Sequence, residues 1–267
     1  MKLSFSTLGC PNWDIEQIVQ FAREYGYDGV ELRGVGSQHI SLEVSPQERR
    51  EIKKFFEDNG IEIACISAYT RFASPSEEER RMNIDTLVQY CDLAKEIGAP
   101  IVRSFVGNPP ERVKEEEWLS YIPESLNEVG ERIDSLGVTV VIETHDYFST
   151  GKLIGMLIER TNNKNIKALW DVWHPYRMGE SPEETLDYLR NYLVHTHIKD
   201  AKKVNDQWQL VLPGGGDIPL VKIVGLLKSI GYNGYLSFEW EKVWHPEIED
   251  PEISFPRYIE YMKYIGV

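Results

Sequence analysis

Hydrophobic positions along the chain follow two alternating periods. Short β-branched or alternating runs read as strands, and each is followed by a stretch with apolar residues three and four apart, the spacing of an amphipathic helix. Lys2 to Leu8 opens the series as a strand. Asp14 to Tyr25 then carries Ile15, Ile18, Val19 and Ala22 on one helical face. Gly26 ends that helix, and the chain turns into a strand at Val30 to Arg33. The same sequence of events recurs: helix Pro46 to Asn59, strand Ile61 to Ala68, helix Ser76 to Ile97, strand Ile101 to Phe105, then a helix from Val113 to Leu136. Gly60, Gly98 and Gly137 stand just past these helices, where a left-handed residue stops a helix.

The fifth strand lies in the run from Gly137 to His145. Val138 to Ile142 is β-branched throughout, as expected of a strand buried on both faces. Helix Lys152 to Arg160, strand Ile166 to Asp171, helix Pro182 to Arg190, strand Leu193 to Lys199, helix Leu220 to Ile230 and strand Tyr235 to Glu239 follow, with a last helix over Ile253 to Tyr264. The turn at Gly231 to Gly234 repeats the one at Gly26 to Gly29, a faint internal repeat. Eight strand–helix units in 267 residues, with no linker-like or low-complexity stretch, predict one domain, a single (β/α)8 TIM barrel spanning residues 1–267.

Four of these strands end on polar residues: Glu143, Asp171, His197 and Glu239. A carboxylate at the end of a buried strand is costly unless something pairs with it. In a barrel, the C-terminal strand ends converge on one face, so these four would meet at a point. Their spacings of 28, 26 and 42 residues are about one repeat each, the last lengthened by a loop. Three carboxylates and an imidazole make a mostly oxygen shell that suits a divalent metal, Mn2+ first, with Mg2+, Co2+ or Zn2+ as alternatives. The competing account is that each is simply a polar strand end meeting solvent.

Composition narrows the partners. A net charge of −14 argues against general affinity for nucleic acid or anionic membrane, though a local site can still oppose that sign. Cys10, Cys65 and Cys91 fit no metal spacing and suggest a reducing compartment. The opening Met1-Lys2 runs directly into a strand, and no apolar run reaches membrane-spanning length, so the expectation is a soluble cytoplasmic protein.

The runs VIETH (Val141 to His145), DVWH (Asp171 to His174), HTHIKD (His195 to Asp200), PGGGDIP (Pro213 to Pro219) and GYNGYLSFEWE (Gly231 to Glu241) resemble the xylose isomerase-like barrels over essentially the whole chain. That superfamily includes ketose 3-epimerases, sugar phosphate isomerases, hydroxypyruvate isomerase, inosose dehydratase and the endonuclease IV group. The resemblance implies that Glu143, Asp171, His197 and Glu239 are metal ligands, and that Glu143 and Glu239 also exchange protons with substrate. It further implies that His174 contacts a substrate oxygen and that copies of the chain often pair as a homo-oligomer. Such chemistry is physically coherent. A divalent cation on a carbonyl and a neighbouring hydroxyl acidifies the C–H between them and stabilises the enediolate. A carboxylate on each face can then remove and return a proton.

Other residues carry two readings each. His145 is either a partner of the ligand residues or a loop polar group. Lys199 either steadies an oxyanion or is a solvated loop lysine, and His195, one layer deeper, reads as a satisfied core histidine. Arg103 and Glu31 either line the pocket floor or pair with one another. Trp13 and Trp173 either stack on a sugar or cover loops. The run Gly214-Gly215-Gly216 lacks the arginines of a phosphate site. The acidic loop Trp244 to Glu252 reads as a lid or a subunit contact.

The expectation is therefore a metal-dependent isomerase or epimerase acting on a small sugar, sugar phosphate or related ketone, with an inosose dehydratase-like lyase as the alternative. Endonuclease IV-like DNA repair fits poorly, because that branch takes extra histidines from strands three and four and a D-x-H after strand seven. This chain has Ala68-Tyr69-Thr70, Arg103-Ser104-Phe105 and Asp200-Ala201-Lys202 there, and six histidines in all.

Overall fold

Local capping explains where the helices start and stop. In the computed structural model, which describes residues 1–34 and 39–267, Asp14 accepts from Gln17 N–H and Gln17 reaches back, a capping box that starts helix α1 (Ile15–Tyr25). Ser45 and Glu48 do the same for α2 (Pro46–Asn59), with Pro46 in its first turn. Ser76 caps α3 (Glu77–Ile97). Gly26, Gly60 and Gly98 close these helices with φ of 78°, 68° and 86°, values that favour glycine.

Between them run β1 (Lys2–Ser6), β2 (Gly29–Arg33), β3 (Glu62–Ser67) and β4 (Ile101–Ser104). The second half adds α4 (Glu115–Arg132), β5 (Thr139–Glu143), α5 (Gly151–Thr161), β6 (Ile166–Asp171), α6 (Trp173–Arg177), α7 (Pro182–Leu189) and β7 (Leu193–Ile198). A hairpin of β8 (Asp200–Val204) and β9 (Gln207–Val211) follows, then α8 (Leu220–Ser229), β10 (Tyr235–Phe238) and α9 (Pro251–Tyr264). Eight parallel strands close in the order β1-β10-β7-β6-β5-β4-β3-β2, with β1 paired to both β2 and β10. This is a (β/α)8 barrel, as expected. Among the described residues, no helix is long and apolar enough to cross a membrane.

Four elements differ from the sequence expectation. The first strand stops at Ser6, whose hydroxyl accepts from Leu8 N–H and turns the chain into a 3-10 turn at the rim. The fourth helix is shorter at both ends. Beyond Arg132 the amides of Asp134 and Leu136 bond three residues back, a tightened turn rather than a helix. Helix α6 was not expected. It starts where Asp171 Oδ1 accepts from the amides of Trp173 and His174. The β8–β9 hairpin was also missed, although Asn205 and Asp206, with φ of 49° and 62°, make the two-residue turn that its alternating flanks call for.

Most buried apolar side chains lie in one large cluster that includes the apolar faces of the helices. Cys65, Ile101, Val141 and Leu169 form a separate small cluster. Each stands two residues before Ser67, Arg103, Glu143 and Asp171, so by strand alternation both sets face the barrel interior. The interior is thus polar at the rim where the strands end, and in the layer below these apolar residues share the space with buried Glu31 and His195.

Candidate active site

Strand register brings the four expected donors together. Asp171 sits opposite His197 across β6 and β7, and Ser237 opposes His197 on β10, which sets Glu239 one step beyond the strand end. Glu143 ends β5. All four are buried, and each offers a ligand atom within 4.8 Å of the others. Donor chemistry fits a divalent ion: three carboxylates and one imidazole, held without solvent.

The two faces of His197 see different partners. Its Nδ1 lies 3.2 Å from Glu143 Oε1 and 3.4 Å from Glu239 Oε1. Its Nε2 lies 3.0 and 3.1 Å from the oxygens of Glu31. Glu31 also meets His195 Nε2 at 2.9 Å and accepts from Ser237 and Ser67. Burial opposes the charge on Glu31, yet the His197 charge and the imidazole hydrogen bonds hold its carboxyl well below the usual range. Glu31 therefore lies beneath the donors and steers the His197 ring. It neither lines the cavity nor pairs with Arg103, the two roles expected for it.

Arg103 turns to Glu143 instead, Nε to Oε2 at 3.2 Å, and donates to the Ala68 carbonyl. Lys199 is wholly buried, contrary to the solvated reading. Its Nζ lies 2.8 Å from Asp171 Oδ2, 2.6 Å from Glu241 Oε1 and against Glu239 Oε2, with the Trp173 ring 5.5 Å away. Two cations therefore brace the donors from different sides. The sequence reading missed Glu241. Its signal was position: two residues past Glu239, as Lys199 is two past His197.

The balance of burial against charge sets the protonation states. Burial raises Glu143, but Arg103 and His197 pull it below the ordinary value, and His197 and Lys199 pull Glu239 well below it. Asp171 goes the other way, pushed up to about 6 because burial outweighs Lys199. Burial lowers His197, yet Glu239, Glu31 and Glu143 raise it well above the usual imidazole value. Without an ion, His197 therefore keeps a proton that a divalent cation would displace.

His145 and His174 stand edge to face, 4.5 Å between ring centres, beside Glu143. Burial and then His145 keep His174 neutral. For His145, burial is outweighed by Asp146, 3.1 Å from Nδ1, and by Glu143, so its value rises. Both flank the donors, and His195 is buried one layer down, as expected, but only half satisfied: its Nε2 meets Glu31 while its Nδ1 has no hydrogen-bond partner among the described residues. Trp13 is not brought to the site. It packs on Phe21 and Phe255 and lines a neighbouring cleft with Lys242 and Asp250. The glycine run also has its own occupant. Asp200 accepts from the amides of Gly214, Gly216, Ala201 and Ile218, so an internal carboxylate already fills that loop. A Cβ on Gly216 would fall 2.1 Å from Asp200 Oδ1.

A sequence profile described as xylose isomerase-like TIM barrel matches residues 19–263. A 3-dehydroshikimate dehydratase of Bacillus anthracis is 26% identical over 210 residues, covering 77% of this chain and 74% of that protein. A fructoselysine 3-epimerase of Escherichia coli O157:H7 is 24% identical over 254 residues, covering 90% of each chain. The crystal structure of an IOLI protein with a bound zinc atom superposes with a TM-score of 0.79 at 19% identity, covering 100% of this chain and 97% of that one.

Proposed function

The chain belongs to the xylose isomerase-like TIM barrel family, and on that premise we propose that it is a divalent-metal-dependent isomerase or epimerase of a small polyhydroxylated carbonyl compound. The observation that carries this reading is the pair of buried, ionised glutamates at one four-donor cluster, each braced by its own cation. Glu143, Asp171, His197 and Glu239 would hold the ion. When bound, it would supply Lewis-acid polarisation of the substrate carbonyl, acidifying the adjacent C–H.

The chain's own residues do the rest. Arg103 fixes Glu143 through Oε2 and Lys199 fixes Glu239 through Oε2, so in both carboxylates Oε1 faces the cluster centre, near His197. Strands β6 and β7 separate the two glutamates around the ring, which lets them address different sides of a substrate between them. One removes the proton next to the carbonyl, and the other returns a proton to the opposite face or to the neighbouring carbon. Neutral His174 offers a hydrogen bond to a substrate hydroxyl. Both glutamates keep ionisation values below the ordinary range, so they are bases at neutral pH.

The His145–His174 pair favours a second reading, a dehydratase. The same carboxylate removes the C–H proton, the C–O bond to a β-hydroxyl breaks, and His145 delivers the proton that lets the hydroxyl leave as water. This agrees with the dehydratase among the relatives.

One experiment separates the two. The Mn2+-loaded protein is incubated in deuterated water with ketoses, ketose phosphates, inososes and hydroxypyruvate, and products are weighed by mass spectrometry. Gain of a single deuterium, lost in Glu239→Gln, supports isomerase or epimerase chemistry. Loss of water assigns the dehydratase. Failure to bind a divalent ion overturns both.

A further inference from the structure

The side of the barrel mouth away from the glycine loop is lined with positive charge. Arg33 at the end of β2, Arg71 after β3 and Arg103 on β4 line one cavity of about 530 Å3, whose wall also includes Glu239. Aromatic rings array them. Tyr69 carries the Arg33 guanidinium at 5.5 Å and that of Arg103 at 4.8 Å. Phe105 carries Arg103 at 4.2 Å and Arg71 at 5.5 Å. Stacking a guanidinium by its face leaves its edge N–H groups to point elsewhere, in the fork that matches carboxylate and phosphate oxygens.

Three guanidiniums outnumber the two carboxylates, Glu239 and Glu241, on this cavity. The chain carries this local reversal although its net charge is −14. Arg103 is tied to Glu143, but Arg71 is half-exposed and its nearest carboxylate, Asp146, is 3.7 Å away. A cavity built for a neutral sugar would offer amides and hydroxyls. Among the described lining residues there is no side-chain amide, and the one hydroxyl is that of Tyr69.

We propose that the β2–β4 side of the mouth is a subsite for an anionic group, carboxylate or phosphate, with Arg71 and Arg103 as its main donors. The substrate is then an acidic polyhydroxy carbonyl compound rather than a neutral sugar. This deepens the proposed function and rests on it for the reacting end of the molecule. The anionic end binds without the ion.

The test is calorimetric binding of three probes of similar carbon length, D-fructose, D-fructose 6-phosphate and 5-keto-D-gluconate, to the full chain with and without Mn2+. At least one charged probe is expected to bind about tenfold tighter than D-fructose, with an advantage that shrinks as salt rises. Which probe gains tells phosphate from carboxylate. Arg71→Gln, at a half-exposed position that should not disturb folding, is expected to cut the charged probe's affinity roughly fivefold more than that of D-fructose. Arg103→Lys should do the same to a lesser degree. Equal binding of charged and neutral probes, or equal losses for both in Arg71→Gln, overturns the proposal. The charged-over-neutral difference persists in metal-free protein, whereas the proposed function fails on absent metal binding or absent exchange, so the two failures are distinct.

Discussion

Asp171→Asn tests how the fold tolerates its own site. Burial pushes the Asp171 carboxyl from an ordinary 3.8 up to about 6, even with Lys199 Nζ 2.8 Å away. A carboxyl raised in the folded state costs stability as pH rises. The cost is absent below the unfolded value, grows between the two values, and is complete above about 6. At one pH unit per 1.36 kcal/mol, the shift amounts to about 3 kcal/mol at neutral pH. Asparagine keeps the oxygen that accepts from the Trp173 and His174 amides; its NH2 loses the Lys199 contact at Oδ2, which offsets part of the gain, while Lys199 keeps Glu239 and Glu241. The metal-free variant should therefore be more stable than wild type by about 1–3 kcal/mol near pH 8, a rise of roughly 2–8 °C in Tm. That advantage should shrink as melts are repeated down to about pH 5. Mn2+ should reverse the order: an ion at a hundredfold excess over its Kd adds about 2.7 kcal/mol to wild type, and much less to a variant lacking the third carboxylate. A variant no more stable than wild type without metal, or an advantage that ignores pH, would refute the buried-charge argument.

Three further outcomes are expected. Glu31→Gln removes the charge that steers His197 Nε2 and should weaken Mn2+ binding about 10–100-fold by calorimetry, with deuterium exchange recovered at saturating metal. Lys199→Met leaves Asp171, Glu239 and Glu241 without their common cation and should cost about 3–5 kcal/mol in metal-free melts, part of it restored by Mn2+. Asp200→Ala strips four amides of their acceptor and should cost about 2–3 kcal/mol, with proteolysis appearing first near Gly214 to Ile218.

Much of this molecule could be read from its residues. The barrel follows from alternating strand and helix periods with glycine stops, and the donors stand out because a carboxylate or imidazole ending an apolar strand needs a partner. What escaped was whatever depends on which strands face each other. Glu31 and Lys199 lie near strand ends by number, but only register across the ring shows that one sits beneath His197 and the other among three carboxylates. Arg103 was expected to line the pocket or to pair with Glu31; it lines the cavity and pairs instead with Glu143 on the adjacent strand. Trp13 lies on the correct face but follows its own aromatic neighbours. The hairpin after β7 was legible in Asn205-Asp206 and its alternating flanks, a signal masked by the glycine run beside it.

The carboxylate of Asp200, folded into its own glycine loop, also gives the barrel mouth a direction. That loop is already filled by its own carboxylate, so with the proposed anion subsite a substrate with one acidic end would settle in a single orientation, its tail toward β2–β4 and its carbonyl toward the donors at the ends of β5, β6, β7 and β10. The site would then act as a ruler. On the proposed chemistry, the carbon that meets Glu143 and Glu239 would be fixed by its count from the acidic end, and a homologue longer or shorter by one carbon would lie in the same groove with the wrong C–H in reach, an inhibitor instead of a substrate.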